Sequence, residues 1–178
     1  FHLVLAQLNP TVGDLRANAD AVRAAWAEAK ARGADMIAFP EMFLTGYQLQ
    51  DLVKKPSFAM DVHAVMGELA ADLKDGPAVG IGGPLPGGAK PFNAYYVLQG
   101  GEIAATVLKH HLPNETVFDE VRVFSPGPVT GPYAVGNTRI GSPICEDAWH
   151  EDVAETLAET GAEILLVPNG SPYYRGKF

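Results

Sequence analysis

Apolar residues recur along this chain in two periods, one suited to strands and one to helices. His2 to Leu8 (HLVLAQL) reads as a buried strand, closed by Asn9-Pro10 and a turn at Gly13-Asp14. From there to Arg32, Leu15, Ala19, Val22, Trp26 and Ala29 return at helical spacing, with Asp14 placed to cap one end and Gly33 the other. Asp35 to Phe39 is a second short apolar strand, ending at Pro40. Strand, helix, strand in that order favours parallel pairing with the helix packed on one face.

Residues 40–56 read as loop, punctuated by Pro40, Thr45-Gly46 and Pro56, and 57–74 as a helix carrying Val62, Val65, Met66, Leu69, Ala70 and Leu73 on its apolar stripe. Ala78 to Gly82 is a strand of small residues. Phe92 to Leu98 and Glu102 to Leu108 flank the turn Gln99-Gly100-Gly101, and Tyr133 to Val135 and Thr138 to Ile144 flank Gly136-Asn137, so each pair predicts a hairpin. Between the hairpins, 109–128 has three prolines and no sustained period, which predicts a long ordered loop. A helix over 150–160 and a strand from Glu163 to Val167 follow, then Pro168-Asn169-Gly170. This order predicts an α/β fold with a mixed sheet and helices packed against it. The last strand has no helix after it to cover it, so a fragment of a larger layered fold is expected.

Composition narrows the function classes. A length of 178 residues predicts one domain with a real core, and 47% apolar with 19% charged residues is typical of soluble globular proteins. No apolar run reaches the roughly 18–20 residues that span a bilayer, and HLVLAQL is too short for a signal peptide. A net charge of −8 argues against nucleic acid or an anionic membrane as partner. A single cysteine permits no internal disulfide and fits a reducing compartment, so a cytoplasmic location is expected.

That cysteine, Cys145, is the centre of SPICEDAW (142–149), after a predicted strand and before two acids. Its ordinary reading is a small buried hydrophobe, and its chemical reading a thiol nucleophile. Glu41 lies in FPEMFLTGY among strongly apolar neighbours, where a carboxylate could serve as a general base; the ordinary alternative is a helix cap or a solvated loop acid. Lys109 ends a strand and could stabilise a thiolate or an oxyanion, although most lysines are simply exposed. His110-His111, with Glu115 nearby, lacks the helical spacing of a metal motif and is followed by Pro113, so no metal is expected. Either histidine, or His150, could instead pair with Cys145, but the local signatures of papain-like enzymes are missing. Glu41, Lys109 and Cys145 each close a predicted strand, where ligand sites of open α/β sheets gather, and together they suffice for acyl transfer.

The ordered motifs FPEMFLTGY, LKHHLPN and PICEDAW make the whole chain resemble the carbon–nitrogen hydrolases of the nitrilase superfamily. LPNETVFDE, VRVFSPG and NGSPYYRGK are most similar to the glutaminase domains of glutamine-dependent NAD synthetases. The resemblance implies an αββα sandwich over 1–178, incomplete at its C-terminal end, and a triad of Glu41, Lys109 and Cys145. In that scheme Lys109 and a low-dielectric pocket hold Cys145 near its thiolate with Glu41 placed to take the proton, the Glu146 backbone N–H shares the oxyanion with Lys109, and Glu120 positions the lysine. Tyr47, Phe118, Glu146, Ser171 and Lys177 match glutamine-pocket positions, with Arg175 as the fallback cation. The chain departs from its relatives at Glu115-Thr116, where Tyr-Gly is common.

The implied reaction releases ammonia from glutamine for the ATP-dependent amidation of deamido-NAD by a C-terminal synthetase domain. ATP and magnesium would belong to that domain, for no Ser-Gly-Gly loop occurs here, and no cofactor is expected in this one. Homo-oligomerisation is expected from the family. The alternatives are a stand-alone amidase or nitrilase acting on another small amide or nitrile, and a catalytically silent member used for assembly.

Overall fold

In the computed structural model, which describes residues 1–115, 117–172 and 175–176, the two periods sort into four layers. β1 (Leu3–Leu5), α1 (Leu15–Ala31) and β2 (Met36–Ala38) form the expected parallel unit, with Leu3, Val4 and Leu5 opposite Met36, Ile37 and Ala38. A 3₁₀ turn at Gln50–Lys54 precedes α2 (Pro56–Asp72), which leads to β3 (Ala78–Leu85), parallel to β2. β4 (Phe92–Gln99) and β5 (Glu102–Leu108) add antiparallel strands and complete a five-stranded sheet in chain order.

A short helical turn, α3 (Glu120–Val123), interrupts the long loop. β6 (Tyr133–Val135) and β7 (Thr138–Gly141) pair antiparallel, and α4 (Glu151–Glu159) carries the chain to β8 (Ile164–Leu165), parallel to β7. These three strands form a second sheet, so the single mixed sheet predicted by the pattern is corrected to two. The αββα sandwich implied by the family resemblance is the architecture observed.

Strand alternation explains the layering. Ile37, Phe39, Val79, Ile81, Tyr96 and Leu98 face Val22, Trp26, Val62, Met66 and Leu69 of α1 and α2. Met36, Ala38, Ala78, Tyr95 and Val97 point the other way and meet Tyr133, Val135, Ile140, Ile144 and Leu166 of the second sheet. Each fully buried aliphatic side chain here contributes roughly 2 kcal/mol of hydrophobic stabilisation. On the outer face of the second sheet, α4 buries Val153 and Leu157, the latter against Gly141. Asp14 caps α1 as expected, its carboxylate accepting from the Ala17 N–H at 3.0 Å.

The largest departures from the expected boundaries are at four strands. β1 stops at Leu5, not Leu8, and is half-buried to exposed rather than buried, because it is the outer strand of its sheet. β3 runs on to Leu85 because β4 pairs with it throughout, as far as Phe92. β7 stops at Gly141 and β8 is two residues long, so Ser142, Pro143 and Ile144 form a connector in which proline has no N–H for a ladder. Leu5, on the outer strand β1, and Leu165 and Val167, in and just after β8, are exposed. No described helix is long and apolar enough to cross a membrane.

Candidate active site

Leaving β2, the chain folds back over β3 and carries Glu41 inside. The Phe39 N–H donates to the Gly80 carbonyl at 2.8 Å, the Gly82 N–H to that of Pro40 at 3.3 Å, and the Leu44 N–H to that of Gly82 at 3.1 Å. This close approach needs glycine at 82, where a Cβ would lie 2.2 Å from the backbone nitrogen of Met42. Met42 itself adopts a left-handed φ of 54°. Asn18 of α1 fastens the far side, its Nδ2 donating to the carbonyls of Thr11 at 2.8 Å and Leu44 at 3.0 Å. Glu41 ends up 3% exposed, neither a helix cap nor a solvated loop acid.

Its partners arrive from β4 and β5. Lys109 extends β5, and its N–H donates to the Asn93 carbonyl of β4 at 2.9 Å. This pairing sets two donors side by side: Lys109 Nζ and Asn93 Nδ2 each lie 2.8 Å from Glu41 Oε1. Lys109 Nζ also lies 3.0 Å from the carboxylate of Glu120, at the start of α3, and the Tyr47 hydroxyl donates to that same carboxylate. All of Lys109, Asn93, Glu41 and Glu120 are buried. Burial by itself would lower the Lys109 pKa, but Glu41 and Glu120 outweigh it and hold the ammonium charged. Burial raises the Glu120 pKa against the pull of Lys109, and Glu41 adds to the rise. Burial and the same two carboxylates keep the Tyr47 hydroxyl protonated as a donor.

Glu41 Oε2, in contrast, has no hydrogen-bond partner among the described residues. It lies under Gly170, where a Cβ would come within 2.9 Å. A buried acceptor left bare is costly and is retained where it has a task.

Cys145 opens the 3₁₀ turn Cys145–Trp149 with a left-handed φ of 48°, a strained conformation for a side chain with a Cβ. Its N–H donates to the Pro168 carbonyl at 3.0 Å, and its thiol donates to Asn169 Oδ1 at 2.8 Å. Buried Asp147 ties this turn to the end of β5: its carboxylate accepts the N–H groups of His110 at 3.1 Å, His111 at 2.7 Å and Ile144 at 3.1 Å. Nucleophile turn and lysine strand are thereby held in one frame.

The protonation state of Cys145 differs from expectation. Burial first, and then the Glu41 carboxylate, push the thiol up to about 12, and Lys109 offsets only part of the rise. The resting group is a neutral thiol, so the expectation that Lys109 keeps it near its thiolate is corrected: Lys109 is already committed to two carboxylates. Iodoacetamide labelling of Cys145 should climb about tenfold per pH unit between about pH 7 and pH 10, beyond the ordinary thiol value of about 8.5. A labelling rate already level below about pH 8 would instead show a stabilised thiolate.

The residues expected to line a substrate pocket are brought together unevenly. Tyr47 and Phe118 stack with ring centroids 6.1 Å apart beside Glu120. Glu146 follows the thiol but turns to His150, Oε1 to Nε2 3.4 Å. Ser171 and Arg175 are exposed, whereas Lys177 and Thr116 lie outside the described residues. Sequence reasoning missed Asn93, Asn169 and Asp147. A polar residue inside the apolar strand FNAYYVL was a signal for Asn93; Asn169 was absorbed into a Pro-Asn-Gly turn, and Asp147 into a run of acids.

Comparison with known proteins bears on this arrangement. Residues 3–177 match the carbon-nitrogen hydrolase family. The chain is 58% identical over 177 residues to the glutamine-dependent NAD(+) synthetase of Rhodobacter capsulatus, covering 99% of this chain and 32% of that protein. It is 35% identical over 179 residues to the synthetase of Thermotoga maritima, covering 99% and 31%. The chain thus spans about a third of the length of the curated relatives it matches. Among solved structures, the glutamine-dependent NAD+ synthetase of Acinetobacter baumannii superposes with a TM-score of 0.88 at 30% identity, over 98% of this chain and 33% of that one. An amidase from Nesterenkonia sp. shares the fold, with a TM-score of 0.84 at 22% identity over 97% of this chain and 66% of that one. A buried Glu41–Lys109 pair beside a strained Cys145, on a sandwich matched along nearly its whole length, places the chain in the carbon–nitrogen hydrolase family.

Proposed function

We propose that this chain hydrolyses the side-chain amide of glutamine through a Cys145 thioester and supplies the ammonia to a synthetase domain, which amidates deamido-NAD to NAD with ATP and magnesium. The observation that carries the reading is the division of labour at Glu41: Oε1 is occupied by Lys109 and Asn93, while Oε2 is buried without a hydrogen-bond partner among the described residues, in a carboxylate close enough to act on the Cys145 thiol. The names of the Rhodobacter capsulatus and Thermotoga maritima relatives supply the choice of glutamine as substrate.

In this mechanism the Cys145 thiol leaves Asn169, gives its proton to Glu41 Oε2, and the sulfur attacks the amide carbon. An ammonium has three N–H donors, of which Glu41 and Glu120 take two, so Lys109 has one for the oxyanion; the Glu146 backbone N–H is the second donor. Each such donor is worth about 3 kcal/mol in the transition state. The C–N bond breaks as Glu41 returns the proton to nitrogen, and ammonia departs. Glu41 then takes a proton from water, the hydroxide adds to the thioester, the C–S bond breaks, and the proton returns to sulfur with glutamate as product. Glu120, held by Tyr47, positions Lys109.

Tyr47, Phe118 and Ser171 line the amino-acid pocket, Glu146 binds the α-ammonium after parting from His150, and Lys177 binds the α-carboxylate. Residues 1–178 belong to the carbon–nitrogen hydrolase domain of a cytoplasmic homo-oligomer.

Ammonia release from L-glutamine, L-asparagine and propionamide by the whole protein tests the substrate. Glutamine is expected to be preferred by roughly tenfold or more, because a pocket built for both α-groups leaves them unpaired with a simple amide. Equal or faster turnover of propionamide would replace this reading with the stand-alone amidase.

A further inference from the structure

Beside the proposed active site, two segments bring imidazoles and a carboxylate to one point on the surface. His110 and His111 follow Lys109, His150 precedes α4, and Asp152 lies in its first turn. His111 Nε2 lies 2.9 and 3.0 Å from the two Asp152 oxygens, and one donor atom from each of His110, His111 and Asp152 lies within 4.8 Å of the other two. The His150 ring stacks on His111 with centroids 3.8 Å apart.

A second observation concerns the tautomer of His110. Its Nδ1 lies 2.7 Å from the Gly127 carbonyl, which can only accept, so Nδ1 carries the proton and the lone pair is on Nε2. Metal-binding imidazoles commonly have this support, their second nitrogen donating to a carbonyl or carboxylate. The backbone beneath is also fixed, because the His110 and His111 N–H groups both donate to buried Asp147.

We propose that His110, His111 and Asp152 form a binding site for zinc or a similar divalent transition-metal ion. Two imidazoles and a carboxylate suit zinc, whereas magnesium and calcium favour all-oxygen sets. Bond lengths of about 2.0–2.2 Å require the donors to close in, and exposed Asp152 has the side-chain freedom to do so. The ion takes the place of the His111–Asp152 hydrogen bond, and His150 or water completes the shell. It ties the end of β5 to α4, next to the Glu146–His150 pair, outside the buried Glu41–Lys109 cluster. The site does not depend on the glutaminase reading.

Titration calorimetry with zinc chloride tests it, in a Cys145→Ala background so that the thiol cannot take the ion. One zinc per chain is expected, with His111→Ala and Asp152→Asn each weakening uptake more than about tenfold and His63→Ala, on α2, leaving it unchanged. Cobalt(II) should give a visible band that His111→Ala removes. No saturable uptake, or uptake indifferent to both His111→Ala and Asp152→Asn, would overturn the proposal and leave His111–Asp152 a surface pair.

Discussion

Replacing Cys145 with alanine is expected to cut glutamine-dependent ammonia release by about 10⁴-fold or more, in line with loss of a covalent nucleophile, while leaving the fold intact. Its thiol donates to Asn169, a contact at the edge of the core, and alanine keeps the Cβ and the backbone conformation at φ 48°. The melting temperature should therefore move little near neutral pH. The alkaline side separates the two proteins further. A thiol raised to about 12 in the folded state, against about 8.5 when unfolded, contributes stability that is complete below the unfolded value and is lost as pH rises toward the folded one. The wild type should lose stability across that window and the alanine variant should not lose that part. In the whole protein, NAD formation from added ammonia should persist. A coupled ammonia assay with parallel thermal melts decides the matter; loss of the fold together with the activity would make Cys145 a packing residue.

Lys109→Met should remove activity and destabilise the fold by about 3–5 kcal/mol, the usual cost of leaving a buried charge without its partner. Methionine fills much of the lysine's space, so the penalty comes from Glu41 and Glu120, which would share one buried site with Asn93 as their remaining common donor. Two consequences separate this from a packing defect. Adding Glu120→Gln should recover part of the stability by removing one of the two charges. Lower pH should also recover it: burial already raises the Glu120 carboxyl and Lys109 is the pull that opposes the rise, so without Lys109 it holds its proton more tightly folded than unfolded and the variant gains stability as pH falls through that raised value. Urea midpoints at several pH values, for the single and double variants, measure both. A Lys109→Met protein as stable as the wild type at neutral pH would show that the lysine does not balance the cluster.

Much of this architecture was legible one segment at a time. Helical spacing located α1 and its N-cap Asp14, because a helix stripe repeats within a few residues and needs no distant information; the C-cap is Arg32, one residue before the expected Gly33, which takes the left-handed position that follows. The hairpin turns at Gln99-Gly100-Gly101 and Gly136-Asn137 were equally local. Glu41, Lys109 and Cys145 were individually ordinary; three motifs in one order singled them out.

What the amino-acid sequence determined by itself was the order of the main helices and strands and the residue types available at their ends; the short turns Gln50–Lys54 and α3, inside stretches read as loop, were not among them. Tertiary structure alone decided that the eight strands among the described residues divide into two sheets, since apolar faces report burial but not the partner that buries them. It alone revealed Asn93 beside Lys109, Asn169 on the thiol, and Asp152 meeting His111 across 41 positions. The protonation of Cys145 belongs with these. A pKa is the sum of burial and of charges at distances fixed only when Glu41, Lys109 and Cys145 occupy one pocket, and that sum reversed the expectation of a stabilised thiolate.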